Sequence, residues 1–205
     1  MTGGRLRGRA LAAPKGVQIR PTADKVKEAV FDLIGQDMEG VKVLDLFAGT
    51  GGLGIEALSR GAQWALFVDL SPTSVRLIRR NLLLTGCEPL GEVIRKDLSR
   101  GLPRRCETLK GEIDLVFIDP PYGKGHIPPL LGELVSAGIL KDRSVVVVES
   151  GKDERLPESF RSLELVKARV YGDTKISIYS QSTRNREARY ETEGRDLPGN
   201  VRSHH

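Results

Sequence analysis

The chain has 205 residues, a length typical of one domain or of one domain with a short appendage. The chain has only two cysteines, which form no CxxC pair, and three histidines, so a disulfide scaffold and a zinc module are both unfavoured. No apolar run approaches the ~20 residues that span a bilayer. Lys and Arg outnumber Asp and Glu by 32 to 27, so the net charge is +5, and we expect a cytoplasmic protein with no bound metal.

The positive charge is concentrated at the start of the chain. The first twenty residues hold no acid and five basic side chains, namely Arg5, Arg7, Arg9, Lys15 and Arg20. Such asymmetry is typical of a segment that contacts a polyanion. We therefore predict a basic arm over residues 1–19, with RNA contacts from its first four basic residues. A solvated, disordered tail is the alternative.

After this arm the chain alternates between helical and strand patterns. A first helix is expected from Thr22, its N-cap, to Gly35. Short apolar runs then alternate with helix-period segments. The predicted strands are 41–47, 65–69, 92–96, 115–119 and 145–149, and the predicted helices between them are 53–60, 72–85 and 130–137.

This alternation predicts a doubly wound α/β sheet of about seven strands. Strands buried on both faces are continuous Val, Ile and Leu runs, and βαβ units build a parallel sheet. The runs 163–171 and 175–180 flank Gly172-Asp173, which predicts an antiparallel closing hairpin. Residues 20–180 would form one domain, residues 181–205 a polar, disordered tail, and residues 98–110 have no clear assignment.

A glycine-rich segment follows the first strand. Residues 49–54 fit G-x-G-x-x-G, with Asp69 twenty residues beyond Gly49, as in dinucleotide-binding proteins. However, Asp45 lies four residues before Gly49, and a pyrophosphate beside a carboxylate is unfavourable. The ammonium and sulfonium of S-adenosylmethionine suit a carboxylate, so this cofactor is favoured over NAD.

The predicted cofactor contacts come from the ends of the first three strands. Asp69 would accept from the ribose hydroxyls and Asp97 from the adenine amino group, although Asp97 is equally well placed as a helix cap. The set predicted from this pattern is Asp45, Phe47, Gly49, Thr50, Gly51, Asp69, Leu70, Asp97 and Leu98.

The fourth strand ends in Asp119-Pro120-Pro121-Tyr122. With strands one and four adjacent, this tetrapeptide faces the glycine segment. Asp119 and the carbonyl of Pro120 can hold an NH₂ group, whose delocalised lone pair makes it a poor nucleophile, and Tyr122 can stack on a planar base at ~1–3 kcal/mol per base. Lys124, between two glycines, is a candidate phosphate contact.

Both motifs together resemble the class I S-adenosylmethionine-dependent amino-methyltransferases. Residues 5–180 further resemble the bacterial 16S rRNA guanine-N2 methyltransferase family D, through Arg7-Gly8-Arg9, the segment 20–31 and the hairpin region at Tyr171. That resemblance implies methylation of one guanine N2 in 16S rRNA of partly assembled small subunits. It also implies that Asp119 and Tyr122 hold the guanine, and that Arg20 and Thr22 bind the cofactor at its methionine end or contact a nearby RNA phosphate.

Three alternatives stay open at this stage. An adenine-N6 or cytosine-N4 methyltransferase acting on DNA or RNA uses the same tetrapeptide. The glycine segment alone is also consistent with a dinucleotide-dependent oxidoreductase. A nucleic-acid-binding module on an inactive methyltransferase scaffold would share the fold without catalysis.

Overall fold

A computed structural model describes residues 1–14, 21–121 and 123–182. The helices are α1 (Pro21–Ile34), α2 (Gly52–Ser59), α3 (Pro72–Thr85) and α4 (Ile127–Ser136). The strands are β1 (Lys42–Leu46), β2 (Trp64–Asp69), β3 (Gly91–Arg95), β4 (Ile113–Ile118), β5 (Leu140–Gly151), β6 (Ser159–Phe160), β7 (Leu163–Tyr171) and β8 (Thr174–Gln181).

The eight strands form one sheet in the order β3-β2-β1-β4-β5-β8-β7-β6. Strands β1 to β5 are parallel, whereas β8 is antiparallel to both β5 and β7. The predicted α/β sheet, the adjacency of β1 and β4 and the closing hairpin are therefore confirmed. The order reverses between β1 and β4, which creates a crevice at the carboxyl ends of these strands.

Alternate residues of the central strands enter two separate cores, one on each sheet face. Phe67 and Phe117 pack on the face covered by α1, α2 and α3, while Val68 and Ile118 pack on the face covered by α4. This burial on both sides explains why Val, Ile, Leu and Phe predominate in the central strands.

Several details differ from the sequence-based prediction. Helix α1 begins at Pro21, so Thr22 lies in its first turn and is not the N-cap. Proline suits this position because the first N–H groups of a helix have no intrahelical partner. The two-residue strand β6 was too short to be predicted, and residues 98–110 contain two 3₁₀ helices, Leu98–Arg100 and Arg104–Thr108.

The ends of the chain were predicted as an arm and a tail. Residue Gln181, assigned to the tail, completes β8 instead, and Ser182 donates its N–H to Ser162. The rest of the predicted tail lies outside the described residues. No helix in the described part of the chain is long and apolar enough to cross a membrane.

Candidate active site

Three carboxylates lie at the carboxyl ends of three adjacent strands. Asp45 is in β1, Asp119 directly follows β4, and Glu149 is near the end of β5. The pairings Leu46↔Ile118 and Ile118↔Val148 place these ends side by side, and the Asp119 N–H donates to the Leu46 carbonyl at 3.3 Å. The topology thus concentrates negative charge at the switch point of the sheet.

The glycine segment between β1 and α2 adopts an unusual backbone conformation. Phe47, Gly49 and Gly51 all have positive φ angles, of 60°, 57° and 78°. A side chain at φ near +60° is strained, so glycine is required where the loop must turn this way repeatedly. The Gly49 N–H donates to Asp69 Oδ2 at 2.8 Å, which fixes the loop against the end of β2.

Asp45 lies beneath this loop and is almost fully buried. Its Oδ2 accepts the N–H of Gly54, in the first turn of α2, at 2.9 Å. Burial raises the pKa of Asp45 well above its usual range, and the charges of Asp119 and Asp69 add to the effect. A cationic ligand beside Asp45 would favour its ionised form.

Gly54 has no room for a side chain. A Cβ at this position would lie 2.3 Å from Phe67 Cε1 and 3.0 Å from Asp45 Oδ2. We expect Gly54→Ala to lower the free energy of unfolding by about 1–3 kcal/mol through overpacking. Urea unfolding measures this; Gly52→Ala is the control, because Gly52 is also in the first turn of α2 and a Cβ there would meet only Thr50 Oγ1, at 3.7 Å. Equal midpoints for wild type and Gly54→Ala would contradict the expectation.

Asp69 and Asp97 lie at the ends of β2 and β3. Asp69 accepts the Ser71 N–H on Oδ1 at 2.8 Å, in addition to the Gly49 N–H on Oδ2. Asp97 caps the 3₁₀ helix that follows it and accepts from Ser99 N and Oγ; these hydrogen bonds lower the pKa of Asp97. A carboxylate has about four lone-pair directions, so both can still accept from a ligand.

Asp119 is accessible from the crevice, although protein surrounds much of its carboxyl group. This partial desolvation, together with the negative charge of Glu149, raises the pKa of Asp119 to about 7. Pro120 is buried and Pro121 is exposed. Tyr122 lies outside the described residues, so its predicted stacking role stays a prediction.

Two cavities meet at these carboxylates. The first, of about 890 Å³, is lined by the glycine segment, residues 8–13 and the β7–β8 turn, and the second, of about 1200 Å³, by the ends of β2 and β3 and the loop after β4. Phe47, Asp119 and Glu149 line both. The other predicted contacts that line the first cavity are Arg9, Asp45, Gly49 and Thr50, and those that line the second are Asp69, Leu70, Asp97, Leu98, Pro120 and Lys124, whereas Gly51 lines neither.

Residues 1–14, here called the strap, lie against α2 and α3. Thr2 and Gly3 donate backbone N–H groups to the fully buried Glu56, and Leu6 N–H donates to Ser59 Oγ. Arg5 contacts Cys87 Sγ and Arg9 donates to the Leu84 carbonyl, so both guanidinium groups lie at the C-terminal end of α3. A disordered tail therefore does not describe this part of the predicted arm.

The residues predicted to contact RNA lie at different places on the molecule. Arg5, Arg7 and Arg9 are exposed on the strap, and Arg9 also lines the first cavity. Lys124 is exposed on the second cavity. Lys15 and Arg20 lie outside the described residues, and the side chain of Thr22 is not described either.

Asn81 of α3 connects the strap to the glycine segment. Its amide accepts the Ala12 N–H at 2.7 Å, and its Nδ2 donates to the Ala12 carbonyl at 3.1 Å and to the Thr50 carbonyl at 2.9 Å. Asn81 is fully buried. One side chain therefore fixes both the cavity wall and the predicted cofactor loop.

We expect Asn81→Ala to weaken binding of S-adenosylhomocysteine, because the Thr50 carbonyl loses its partner and the loop is no longer held. The unfolding free energy should fall by about 1–3 kcal/mol, the cost of unpaired buried polar groups. Thr85→Ala is the control: Thr85 is buried one turn later, and its hydroxyl bonds only to Asn81 and Leu82 carbonyls of α3. Equal losses of affinity in both variants would show that only general stability matters.

Three residues important in this geometry were not singled out from the sequence. Glu149 is a charged residue at the end of an apolar run, like Asp69 and Asp119, and that position was the signal that could have identified it. Asn81 and Glu56 lie inside helical segments, where the sequence gives no indication of a partner distant in the chain.

The comparisons with known proteins agree with this geometry. A family profile described as "Conserved hypothetical protein 95" matches residues 1–180. YlbH of Bacillus subtilis, a candidate rRNA methyltransferase, is 36% identical over 87% of this chain and 96% of its own length. Ribosomal RNA small subunit methyltransferase D of Escherichia coli is 30% identical over 87% of this chain and 88% of its own length.

Solved structures share the fold. The Escherichia coli candidate methyltransferase yhhF superposes with a TM-score of 0.76 at 29% identity, over 88% of this chain and 96% of that one. An RNA methyltransferase from Salinibacter ruber, solved with S-adenosyl-L-homocysteine, gives a TM-score of 0.56 at 16% identity, over 91% of this chain and 100% of that one, and shows the same Rossmann-like fold. The chain belongs to the Conserved hypothetical protein 95 family, the family of the bacterial ribosomal RNA small subunit methyltransferases D.

Proposed function

We propose that the protein transfers a methyl group from S-adenosylmethionine to the exocyclic N2 amino group of one guanine in 16S rRNA. The observation that carries this proposal is the position of Asp119, a carboxylate at the tip of β4 beside the glycine segment that follows β1. An acceptor for an NH₂ group and a loop suited to a cofactor thus share one crevice.

The described residues fit S-adenosylmethionine. Asp69 retains acceptor capacity for the ribose hydroxyls, and Leu70, 53% exposed on the second cavity, offers an apolar surface for adenine. Asp45, Asp119 and Glu149 are carboxyl groups whose ionised forms a cationic ligand would stabilise, whereas a pyrophosphate would be repelled by them. When bound, the cofactor supplies an electrophilic methyl group on its sulfonium.

Asp119 and the Pro120 carbonyl hold the amino group in this proposal. The ionised carboxylate accepts an N–H hydrogen bond, orients the nitrogen lone pair and stabilises the positive charge that develops on nitrogen. Asp119 can also accept the proton that the nitrogen releases, because its pKa of about 7 lies close to the working pH. Tyr122 would stack on the base.

An RNA substrate requires further contacts outside the crevice. Arg7 is exposed on the strap next to Gly8, which lines the first cavity, and Lys124 is exposed on the second. Both are suited to phosphate groups, with a counterion released for each phosphate neutralised. The target guanine must leave any base stack to reach Asp119. A partly assembled small subunit in the cytoplasm, where the base is still accessible, meets this requirement.

Nucleoside mass analysis of 16S rRNA from cells lacking the protein tests the proposal. We expect one N2-methylguanosine to be lost and to return when purified protein and S-adenosylmethionine are added to small-subunit particles from those cells. Loss of N6-methyladenosine or N4-methylcytidine would instead identify one of the rival methyltransferases. Unchanged nucleosides would favour the binding module without catalysis.

Calorimetry separates the two cofactor hypotheses. We expect S-adenosylhomocysteine to bind and NAD to show no heat of binding under the same conditions. Tight NAD binding would overturn the proposed cofactor and favour the oxidoreductase.

A further inference from the structure

Glu149 is the immediate neighbour of Asp119 across the sheet. Ile118 of β4 pairs with Val148 of β5, so the two acids are the next residues on adjacent parallel strands, and residues in register on such strands point to the same side. Both acids line both cavities. The crevice therefore presents a pair of carboxylates to any base that enters it.

Nucleobases differ in what they can offer to such a pair. Guanine has two adjacent donor groups on its Watson–Crick edge, the N1–H and the N2 amino group. Adenine places its amino group beside the N1 lone pair, and cytosine places its amino group beside the N3 lone pair. Because an ionised carboxylate only accepts hydrogen bonds, a lone pair facing a second carboxylate is repelled.

We propose that Glu149 is a specificity-determining residue that accepts the guanine N1–H while Asp119 accepts from the N2 amino group. This inference rests on the proposed function and adds the means by which guanine is chosen over adenine and cytosine. Sites built to satisfy a donor strongly reject analogues that lack it, because the buried acceptor then stays unpaired.

Glu149 also acts on Asp119 electrostatically. Its negative charge contributes to the raised pKa of Asp119. The other titratable or charged groups that line the two cavities come from every surrounding element: Met1 and Arg9 of the strap, Asp24 and Lys27 of α1, Asp45, Asp69, Arg95, Lys96, Asp97, Lys124, His126 and Asp173. Removing the Glu149 charge should lower the pKa of Asp119, so the rise of kcat/KM with pH should shift to lower pH.

The first measurement requires no variant. Small-subunit particles are reconstituted with 2-aminopurine in place of the guanine that mass analysis identifies. This base keeps the amino group but carries a lone pair at N1. We expect wild-type protein to methylate it about 10- to 100-fold less efficiently than guanine, because the half-buried Glu149 then faces a lone pair instead of a donor. Equal rates on the two bases would overturn the inference.

The second measurement uses Glu149→Gln, whose amide can donate to the N1 lone pair of 2-aminopurine. We expect kcat/KM for guanine to fall, the preference for guanine over 2-aminopurine to shrink and the pH profile to shift to lower pH. Asp173→Asn, which removes an equal charge at the exposed rim of the first cavity, should leave the base preference unchanged. Thermal unfolding and S-adenosylhomocysteine binding verify that the variants are folded.

The outcomes separate the two proposals. If wild-type protein produces N2-methylguanosine but Glu149→Gln keeps the wild-type base preference and pH profile, the role of Glu149 is wrong and the proposed function stands. If wild-type protein produces no N2-methylguanosine in any particle, the proposed function fails, and the role of Glu149 fails with it.

Discussion

Replacing Asp119 by alanine is expected to lower kcat/KM for methyl transfer on the order of 10²- to 10³-fold, a loss typical of one electrostatic stabiliser of a transition state. The loss arises because no carboxylate remains to orient the amino group and to stabilise its developing charge. The kcat/KM of Asp119→Asn should lie between that of wild type and that of Asp119→Ala, since the asparagine amide oxygen still accepts a hydrogen bond. Transfer of labelled methyl to small-subunit particles measures all three proteins.

The affinity for S-adenosylhomocysteine distinguishes this role from general damage to the site. In the proposed arrangement Asp119 holds the substrate base, whereas Asp69 and the glycine segment hold the cofactor. Calorimetry should therefore give similar affinities for Asp119→Ala and wild type. Unchanged turnover in Asp119→Ala would refute the assigned role, and a lost cofactor affinity would place Asp119 on the cofactor instead.

The same residue should make stability depend on pH. The pKa of Asp119 is about 7 in the folded protein, above the ~3.9 of an unperturbed aspartate, so the folded state holds this proton more tightly than the unfolded state. The resulting stabilisation is complete below the unfolded pKa and is lost as pH rises through the folded pKa. We expect Asp119→Asn to melt at a higher temperature than wild type at pH 8, and the difference to shrink towards pH 4; a constant difference would contradict this.

Much of the catalytic half of the fold could be predicted from sequence, because its strands are buried on both faces. The runs that became β1 and β4 are rich in Val, Leu and Ile, and a glycine-rich segment or Asp-Pro-Pro follows each, so their carboxyl ends were recognisable as a candidate site. The repeated glycine residues after β1 indicated a loop directly, and Gly49 and Gly51 have positive φ angles in the structure. Asp45, Asp69 and Asp119 follow from this pattern alone.

The remaining features depend on contacts between distant parts of the chain. The strap was predicted as an arm from its charge, but its placement depends on Glu56, Ser59 and Asn81, which lie 53 to 69 residues away along the chain. The sequence alone does not show whether an acidic residue inside a helix pairs with a buried group or is exposed to solvent. Asp97 illustrates the same ambiguity, since capping and ligand binding require the same carboxylate at the same position.

The strap depends most on the side chain of Glu56. Glu56→Ala is expected to lower the free energy of unfolding by about 3–5 kcal/mol, as for other buried ion pairs that lose one partner. The carboxylate has no exposed surface and accepts hydrogen bonds from Thr2, Gly3 and Arg60, at distances of 2.6 to 3.0 Å. Arg60 is itself 4% exposed and lies 4.5 Å from the Phe31 ring centre. Removing Glu56 leaves this guanidinium buried without its carboxylate.

Urea unfolding and hydrogen exchange together test this prediction. We expect the amides of Thr2, Gly3 and Leu6 to lose protection in Glu56→Ala under conditions where the protein is still folded, because the strap is released before the sheet. Glu112→Ala is the matched control, since its ion pair with Lys42 is partly exposed on both sides and should contribute little to the free energy of unfolding. If the two variants unfold at the same urea concentration, or if the strap amides stay protected, Glu56 is not what holds the strap, and the wall of the first cavity must depend on Asn81 instead.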